Sequence, residues 1–330
     1  MSNRKRAVAL IVAALTLAAA SAHAERSAKP DVAYPTRPIR LIIPYSPGGA
    51  SDNVARVVMP RLSEALRQTI VMDNRPGGAG ILGRDLGAKA IPDGYTLLST
   101  DAPHAITPHM VRKLPHDALK DFTAITTTAT SPMLMIVHPS FPAKNVSELV
   151  ALAKSQPGKL NYGSGGTGAT THLTGELFKL AAKIDIVHVP YKSIAPAVTD
   201  LIGGQIQIAF PGTATVGGQI RAGRVRLLAV AAKSRSPAFP DAPTFEESGV
   251  PGMIASNWYG IMGPAKLPRP IVDRLNTEIH KAVRAPEVLQ FFATSGIEPL
   301  LNTPEEFTAM LAAEYERWGR VVKASGIKPE

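Results

Sequence analysis

The chain has 330 residues, with 36 basic and 26 acidic side chains, a formal net charge of +10 and no cysteine. Hydrophobic residues make up 45% and charged residues 19%, which excludes a disordered chain, a collagen-like repeat and a disulfide-stapled miniprotein. Without cysteine there is no thiol nucleophile, zinc–thiolate site or thiolate-held iron–sulfur cluster, and the length suffices for two cores, since single cores stop growing near ~250–300 residues.

Residues 1–24 open with Arg4, Lys5 and Arg6, continue through the uncharged stretch Ala7 to Ala20 and end on Ala22-His23-Ala24. This is the pattern of a secretory signal peptide cut after Ala24, which predicts export to the periplasm. A membrane anchor is the competing reading, but the apolar stretch is short of the ~20 residues a spanning helix needs. Removing a segment with three basic and no acidic residues lowers the charge from +10 to +7. The remaining basic residues are scattered, with no run of four. That suits a solvated surface mildly attractive to anions rather than a nucleic-acid stripe.

From Ile39 onward, strand and helix patterns alternate. Ile39 to Ile43 reads as a strand, and Val54, Val58, Leu62 and Leu66 as one helical stripe containing Pro60. Thr69 to Met72 is a second strand, Ile81, Leu82, Leu86 and Ala90 a second helix, and Tyr95 to Leu98 a third strand. This βαβαβ rhythm predicts a mostly parallel sheet with helices on its faces. Met133 to Val137 is a further strand. Asn145 and Glu148 look like a capping box ahead of Leu149 and Leu152. Then Leu160-Asn161-Tyr162 leads into a glycine-rich loop, followed by a helix with Leu173, Leu177 and Leu180, a strand at Ile184 to Val189, and a helix at Ile194 to Leu201. Strands at Ile206 to Phe210 and Val225 to Ala231 follow, then Ala255 to Met262, and a helix through Ile271, Leu275 and Ile279. Thr303, Pro304 and Glu306 start a last helix whose stripe is Phe307, Leu311, Tyr315, Trp318 and Val322. No flexible linker separates two domains, so a domain that is left and re-entered is expected.

Five loops between a strand and a helix could carry function. Tyr45-Ser46-Pro47-Gly48-Gly49-Ala50-Ser51-Asp52 offers glycine backbone amides and a helix N-terminus, a setting for a carboxylate, while Ser51 or Asp52 also reads as a plain N-cap. Asn74 to Gly80 is glycine-rich, and Arg75 there meets an anion or pins the loop. Tyr162 to His172 gathers Ser164, Gly165, Thr167 and Thr170 at another helix start, with His172 reading as packing or as a ligand contact. Tyr191 offers a ring wall or is simply a surface tyrosine, and Phe210-Pro211 is a fifth turn whose ring also fits the core. All five fit the rim where such sheets bind ligands, beyond the carboxyl ends of the strands. There is no GxSxG elbow, HExxH motif or phosphate-binding GK[ST] ending.

Together these motifs resemble the solute-binding component of tripartite tricarboxylate transporters, the TctC family, also called Bug receptors. The resemblance is carried by Tyr34-Pro35 with Arg37-Pro38-Ile39, and by Pro44-Tyr45 with Gly48-Gly49 and Asp52. It continues through Asn74-Arg75-Pro76-Gly77, Tyr162-Gly163-Ser164 with Gly168 and His172, Val189-Pro190-Tyr191-Lys192 and Asp200-Leu201-Ile202-Gly203-Gly204, covering about Tyr34 to Gly326. It implies a type II-like periplasmic binding protein: two α/β lobes, each a mostly parallel sheet flanked by helices, closing on a solute like a Venus flytrap. It also implies that the loop from Tyr45 to Asp52 holds a carboxylate through backbone amides and ordered water. The segment after Tyr191-Lys192, commonly glycine-rich in the family, is Ser193-Ile194-Ala195 here, and two places often acidic hold Gln207 and Pro211.

The expected organisation is a signal peptide at 1–24, a first lobe of 25–137 plus 251–330, and a second lobe of 138–250. Ligand contacts are expected from Tyr45, Ser46, Gly48, Gly49, Ala50, Ser51 and Asp52, from Ser164, Gly165, Thr167, Thr170 and His172, and from Tyr191, Gln207, Phe210 and Pro211. No catalytic residue, metal or cofactor is expected. The expected partners are a small carboxylate, acidic amino acid or small aromatic or amide solute, and a two-subunit membrane permease, with the receptor a monomer that binds no nucleic acid. The competing classes are a ligand sensor signalling to a membrane partner and an exported hydrolase, which a buried Ser–His pair would favour.

Overall fold

The computed structural model describes residues 34–329. The signal peptide expected at 1–24 and its cut after Ala24 lie outside the described residues. Strand β1 (Ile39–Ile43) buries Ile39, Leu41, Ile42 and Ile43 completely. Helix α1 (Ala50–Leu66) turns Val54, Val58, Leu62 and Leu66 inward and keeps Pro60 on its exposed face, where solvent can take the carbonyl that proline leaves unpaired. β2 (Ile70–Asn74), α2 (Ile81–Ala88) and β3 (Thr96–Asp101) complete the βαβαβ unit, with β1 parallel to both neighbours.

Helix α2 presents the face opposite to the one expected. Leu82 and Leu86 are 49% and 38% exposed, while Gly83, Arg84 and Gly87 are buried. The reason is close approach. A Cβ on Gly83 would lie 2.7 Å from the Pro44 Cα, and one on Gly87 3.2 Å from the Leu98 Cβ, so the helix lies on the sheet by its glycines.

A short helix, α3 (Pro103–Ile106), leads to β4 (Phe122–Pro132). The chain then continues straight into β5 (Leu134–Val137), which belongs to a second sheet. That sheet also contains β6 (Asn161–Ser164), β7 (Val187–Pro190), β8 (Ile208–Ala209) and β9 (Arg226–Val230). The helices between them are α4 (Val146–Ser155), α5 (Thr170–Ala182), α6 (Ile194–Ile202) and α7 (Thr213–Arg221). Asn145 caps α4 by accepting from the Glu148 N–H, while Glu148 reaches back to the Lys144 N–H.

The chain returns to the first sheet at β10 (Ser256–Pro264), followed by α8 (Arg269–Val283), α9 (Pro286–Ser295), β11 (Glu298–Pro299) and α10 (Pro304–Ala324). Thr303 and Glu306 form the reciprocal capping box at the start of α10. Phe307 and Trp318 on this helix are fully buried, and Trp258 meets Phe307 edge-on at 5.5 Å. Each such side chain contributes roughly 1.5–3 kcal/mol by leaving water.

The sheet orders are β11-β4-β10-β3-β1-β2 and β7-β6-β8-β5-β9. The sheets are expected to be mostly parallel, and parallel pairing holds for one half of each. The other half is antiparallel, because β4, β5, β9 and β10 belong to the crossings between sheets. At the crossing the Met133 N–H donates to the Ala255 carbonyl (2.9 Å), the Ala231 N–H to the Met133 carbonyl (2.8 Å), and the Ala255 N–H to the Ala231 carbonyl (2.9 Å). Two passages between the sheets are thus laced together at one place. No helix among the described residues is long and apolar enough to cross a membrane.

Candidate ligand-binding cleft

The carboxyl ends of β1 and β6 lead into loops that face one cleft of about 350 Å³. Tyr45, Ala79, Pro103, Thr107, Met110 and Val111 line it from the side of the first sheet, and Gly165, Thr167, Gly168 and Ala169 from the side of the second. The two sides approach closely: a Cβ on Gly168 would sit 2.9 Å from the Met110 Cε. Gly168 has φ +80°, which also favours glycine.

On the first side, the loop is stretched over two anchors. Asp52 is fully buried and its carboxylate accepts from the Gly48 N–H (2.9 Å), the Arg56 Nε (2.6 Å) and the Asn74 Nδ2 (2.9 Å). Burial alone would raise its pKa, but these hydrogen bonds outweigh it and hold the carboxyl below its usual range. Asn74 also donates to the Tyr45 carbonyl (2.9 Å). Asp101 is the second anchor, accepting from Ser51 Oγ (2.9 Å) and the Tyr45 hydroxyl (3.0 Å). Burial first, then the Asp101 charge, raises the Tyr45 pKa and keeps that hydroxyl protonated. Ser46, Gly48, Gly49 and Ala50 are exposed in the same loop. The first N–H groups of α1 have no partner within the helix by geometry, so this edge presents donors suited to an anion. Arg75 is turned away and paired with Asp73 (2.9 Å).

On the second side, buried side chains brace the glycine-rich loop from behind. The Gly165 N–H donates to Thr171 Oγ1 (2.9 Å), the Gly166 N–H to Ser164 Oγ (3.1 Å) and the Gly168 N–H to His172 Nδ1 (3.0 Å). Ser164 Oγ also meets His188 Nε2 at 2.6 Å. The His172 and His188 rings stack at 3.9 Å, and Tyr162 stacks on His188 at 5.0 Å. The Tyr162 hydroxyl donates to Glu176 Oε1 (2.7 Å), which Lys179 also reaches (3.1 Å). Burial pushes the His172 pKa down, and burial together with His172 pushes His188 down to about 4. Both rings are therefore neutral at pH 7, as His172 must be to accept from Gly168.

A neutral ring with a depressed folded pKa stabilises the fold above its unfolded value of ~6.5 and loses that effect as the pH falls through the folded value. Lowering the pH from 7 to 4 is therefore expected to lower the hydrogen-exchange protection factors of residues 164–170 in the native protein, each rate being taken relative to the intrinsic amide rate at the same pH. In a His172→Phe, His188→Phe double variant the loop should already be weakly protected at pH 7, with protection factors that respond little to acid. Equal acid sensitivity in both proteins would refute the bracing role.

The expected contacts thus divide. Tyr45, Gly165 and Thr167 line the cleft. Ser51, Asp52, Ser164, Thr170 and His172 are buried behind it. Tyr191 stands beside the glycine-rich loop, where its N–H donates to the Ser164 carbonyl (3.1 Å) and its hydroxyl to Asp200 (2.7 Å). Burial and Asp200 push that hydroxyl up to about 12. Phe210 is fully buried against Tyr162 and Phe178, and the Pro211 carbonyl accepts from the Leu134 N–H (2.8 Å). Gln207 sits at the opposite end of the strands from the rim, where its side chain accepts from the Asn161 N–H (2.9 Å). Sequence reasoning did not find Ala79, Pro103, Thr107, Met110 and Val111. Ala79 alone had a signal, since it lies in the second glycine-rich loop.

The Ser164–His188 pair is the one a hydrolase reading would need. Ser164 is fully buried, its oxygen accepts from the Gly166 N–H, and it is not among the residues that line the cleft, so the pair meets the distance a hydrolase needs while its hydroxyl is engaged in propping the loop.

The family model described as the tripartite tricarboxylate transporter family receptor, TctC, matches residues 54–327. BugT of Bordetella pertussis is 35% identical over 297 residues, covering 89% of this chain and 91% of BugT. A solved periplasmic transporter is 40% identical with a TM-score of 0.76, covering 89% of this chain and 99% of that one. Rpa4515 of R. palustris, solved with adipate, is 34% identical with a TM-score of 0.77 over 90% of this chain and all of its own. MatC of Rhodopseudomonas palustris, solved with bound malate, is 29% identical with a TM-score of 0.73 over 88% and 100%. These likenesses extend to the two-sheet architecture and to proteins that bind solutes in the periplasm. The chain belongs to the TctC family of tripartite tricarboxylate transporter receptors.

Proposed function

We propose that the protein captures a small dicarboxylate in the periplasm by closing two lobes on it, and passes it to a two-subunit membrane permease without chemical change. The observation that carries this reading is a cleft lined from both sides by loops at strand ends, Tyr45 and Ala79 facing Gly165, Thr167, Gly168 and Ala169. The lobes would divide at Met133 and again at Ala255, where the crossing segments are laced by hydrogen bonds and every other connection stays within one sheet. A hinge there changes few dihedrals and leaves both cores intact. One carboxylate would meet the amides from Gly49 to Asp52, and the other end of the guest would meet Thr167 and the loop amides of the second lobe. The adipate and malate bound by two relatives support a guest with a carboxylate at each end.

The test is calorimetry of ligand-stripped mature protein with dicarboxylates of four to six carbons. Saturable heat with at least one of them is expected, with a thermal midpoint that rises with ligand concentration because only the native state binds. No heat and no thermal shift across the series would overturn the dicarboxylate reading.

A further inference from the structure

The first side of the cleft rests on a buried ion pair that binding through backbone amides does not require. The Arg84 side chain is 1% exposed, and its guanidinium donates to the Ala79 carbonyl (3.0 Å), the Tyr45 hydroxyl (2.7 Å) and Asp101 Oδ1 (3.1 Å). Asp101 accepts the Tyr45 hydroxyl proton on that same oxygen and Ser51 Oγ on the other. Four segments meet on this pair: the loop after β1, the first turn of α1, the loop before α2 and the end of β3. Two of the residues held, Tyr45 and Ala79, line the cleft. Ala79 stands at φ +52°, a left-handed conformation that costs an alanine something, and the Arg84 contact to its carbonyl helps hold it there.

A buried ion pair is a poor source of stability, since desolvation offsets the attraction. Arg84 Nε is in fact left without a hydrogen-bond partner. Burial opposes the Arg84 charge, but the Tyr45 oxygen and the Asp101 carboxylate raise its pKa above the ordinary value. What the pair does supply is a fixed Tyr45 ring and two charges that cancel beneath the guest.

We infer that Arg84 and Asp101 are positioning residues that fix Tyr45 and hold the floor of the cleft electrically neutral, thereby setting how strongly a doubly charged guest is preferred over a singly charged one. This inference rests on the dicarboxylate reading for its binding arm. Removing either partner alone exposes the guest to one uncompensated charge in a region of low dielectric, which acts more strongly on a dianion than on a monoanion.

The experiment compares adipate with its monoamide by calorimetry in wild type, Asp101→Asn, Arg84→Met and the double variant. Asp101→Asn is expected to move the affinity ratio about tenfold toward adipate, Arg84→Met about tenfold away, and the double variant back toward wild type. A merely structural role weakens both ligands together, so an unchanged ratio in both single variants overturns the charge role. A second readout needs no ligand. In protein containing 3-fluorotyrosine, the Tyr45 fluorine resonance, assigned with Tyr45→Phe, should shift and broaden in Arg84→Lys, which keeps the charge but loses the planar fork. An unmoved resonance overturns the positioning role. If wild type binds neither probe, the comparison moves to the four- or five-carbon dicarboxylate that gives heat and its monoamide; if none of the series binds, the dicarboxylate reading fails, and the fluorine resonance still decides whether Arg84 positions Tyr45. If Arg84→Met does not fold, Asp101→Asn and Arg84→Lys carry the two arms.

Discussion

Asp52→Asn is expected to weaken carboxylate binding by about ten- to a hundredfold and to destabilise the protein by roughly 1.5–3 kcal/mol, the range for a hydrogen bond to a charged group. The side chain is fully buried and surrounded by donors: the Gly48 N–H, Arg56 Nε and Asn74 Nδ2. An asparagine of the same shape must aim its own NH2 at one of them, so at least one contact becomes repulsive. The loop that would hold the carboxylate is tied down at Gly48, which stands at φ +84°, and its outer half would lose that tie. Affinity should fall because the amides from Gly49 to Asp52 are no longer pre-arranged, and arranging them on binding costs free energy. The pH dependence has a definite sign. The folded pKa of Asp52 is depressed, so its contribution is present above the unfolded value of ~3.9 and is lost as the pH falls through the folded value. Denaturant titrations of wild type and Asp52→Asn should therefore differ at pH 7 and converge in strong acid. A variant that binds the same dicarboxylate with wild-type affinity at pH 7 would show that the loop is ordered without Asp52.

The fate of Asp52 also shows what the sequence could and could not reveal. The loop was legible because its glycines lie between a strand pattern and a helix pattern. The direction of the Asp52 side chain was not, because an N-terminal aspartate can turn toward a ligand or back into its own loop with the same neighbours in sequence. Helix α2 is legible as a helix, but the face it buries is not. Periodicity assigns Leu82 and Leu86 to the core, whereas the decisive quantity is how closely the backbone must approach the sheet at Gly83 and Gly87. Once the glycines face inward, Arg84 between them has to be buried, and Asp101, seventeen positions on, becomes its partner through tertiary contact alone. The two capping boxes were legible because Asn145–Glu148 and Thr303–Glu306 act within one turn. Met110 and Thr107 were not, since nothing in the sequence near them differs from an ordinary connection, and they reach the cleft only because α3 follows β3 to the rim. Gln207 is marked only by the resemblance, as a place often acidic in the family, and the parallel register of β6 and β8 carries it to the far end of the strands.

Gly175→Ala is expected to lower the melting temperature by roughly 6–12 °C, corresponding to the upper end of overpacking costs at about 3 kcal/mol. A Cβ there would lie 2.2 Å from Tyr162 Cε2, 2.6 Å from Cζ and 2.7 Å from Cδ2, overlapping a whole ring edge. The ring has little room to retreat. It is fully buried, stacked on His188 at 5.0 Å, edge-on to Phe210 at 6.0 Å, and tethered through its hydroxyl to Glu176, the next residue of the same helix. Relief must come from lifting α5 away from β6. That movement reaches the cleft directly, because the N-terminus of α5 carries Gly168 and Ala169 to its wall. Binding should accordingly weaken by about tenfold even at temperatures where the variant is fully folded, since a misplaced wall must be realigned by the guest. Combining Gly175→Ala with Tyr162→Leu removes the overlapped ring carbons, so the double variant should lose less stability than the sum of the two single changes. Additive losses, or a Gly175→Ala protein that melts within about 2 °C of wild type, would mean that the packing of α5 on Tyr162 is looser than these distances require.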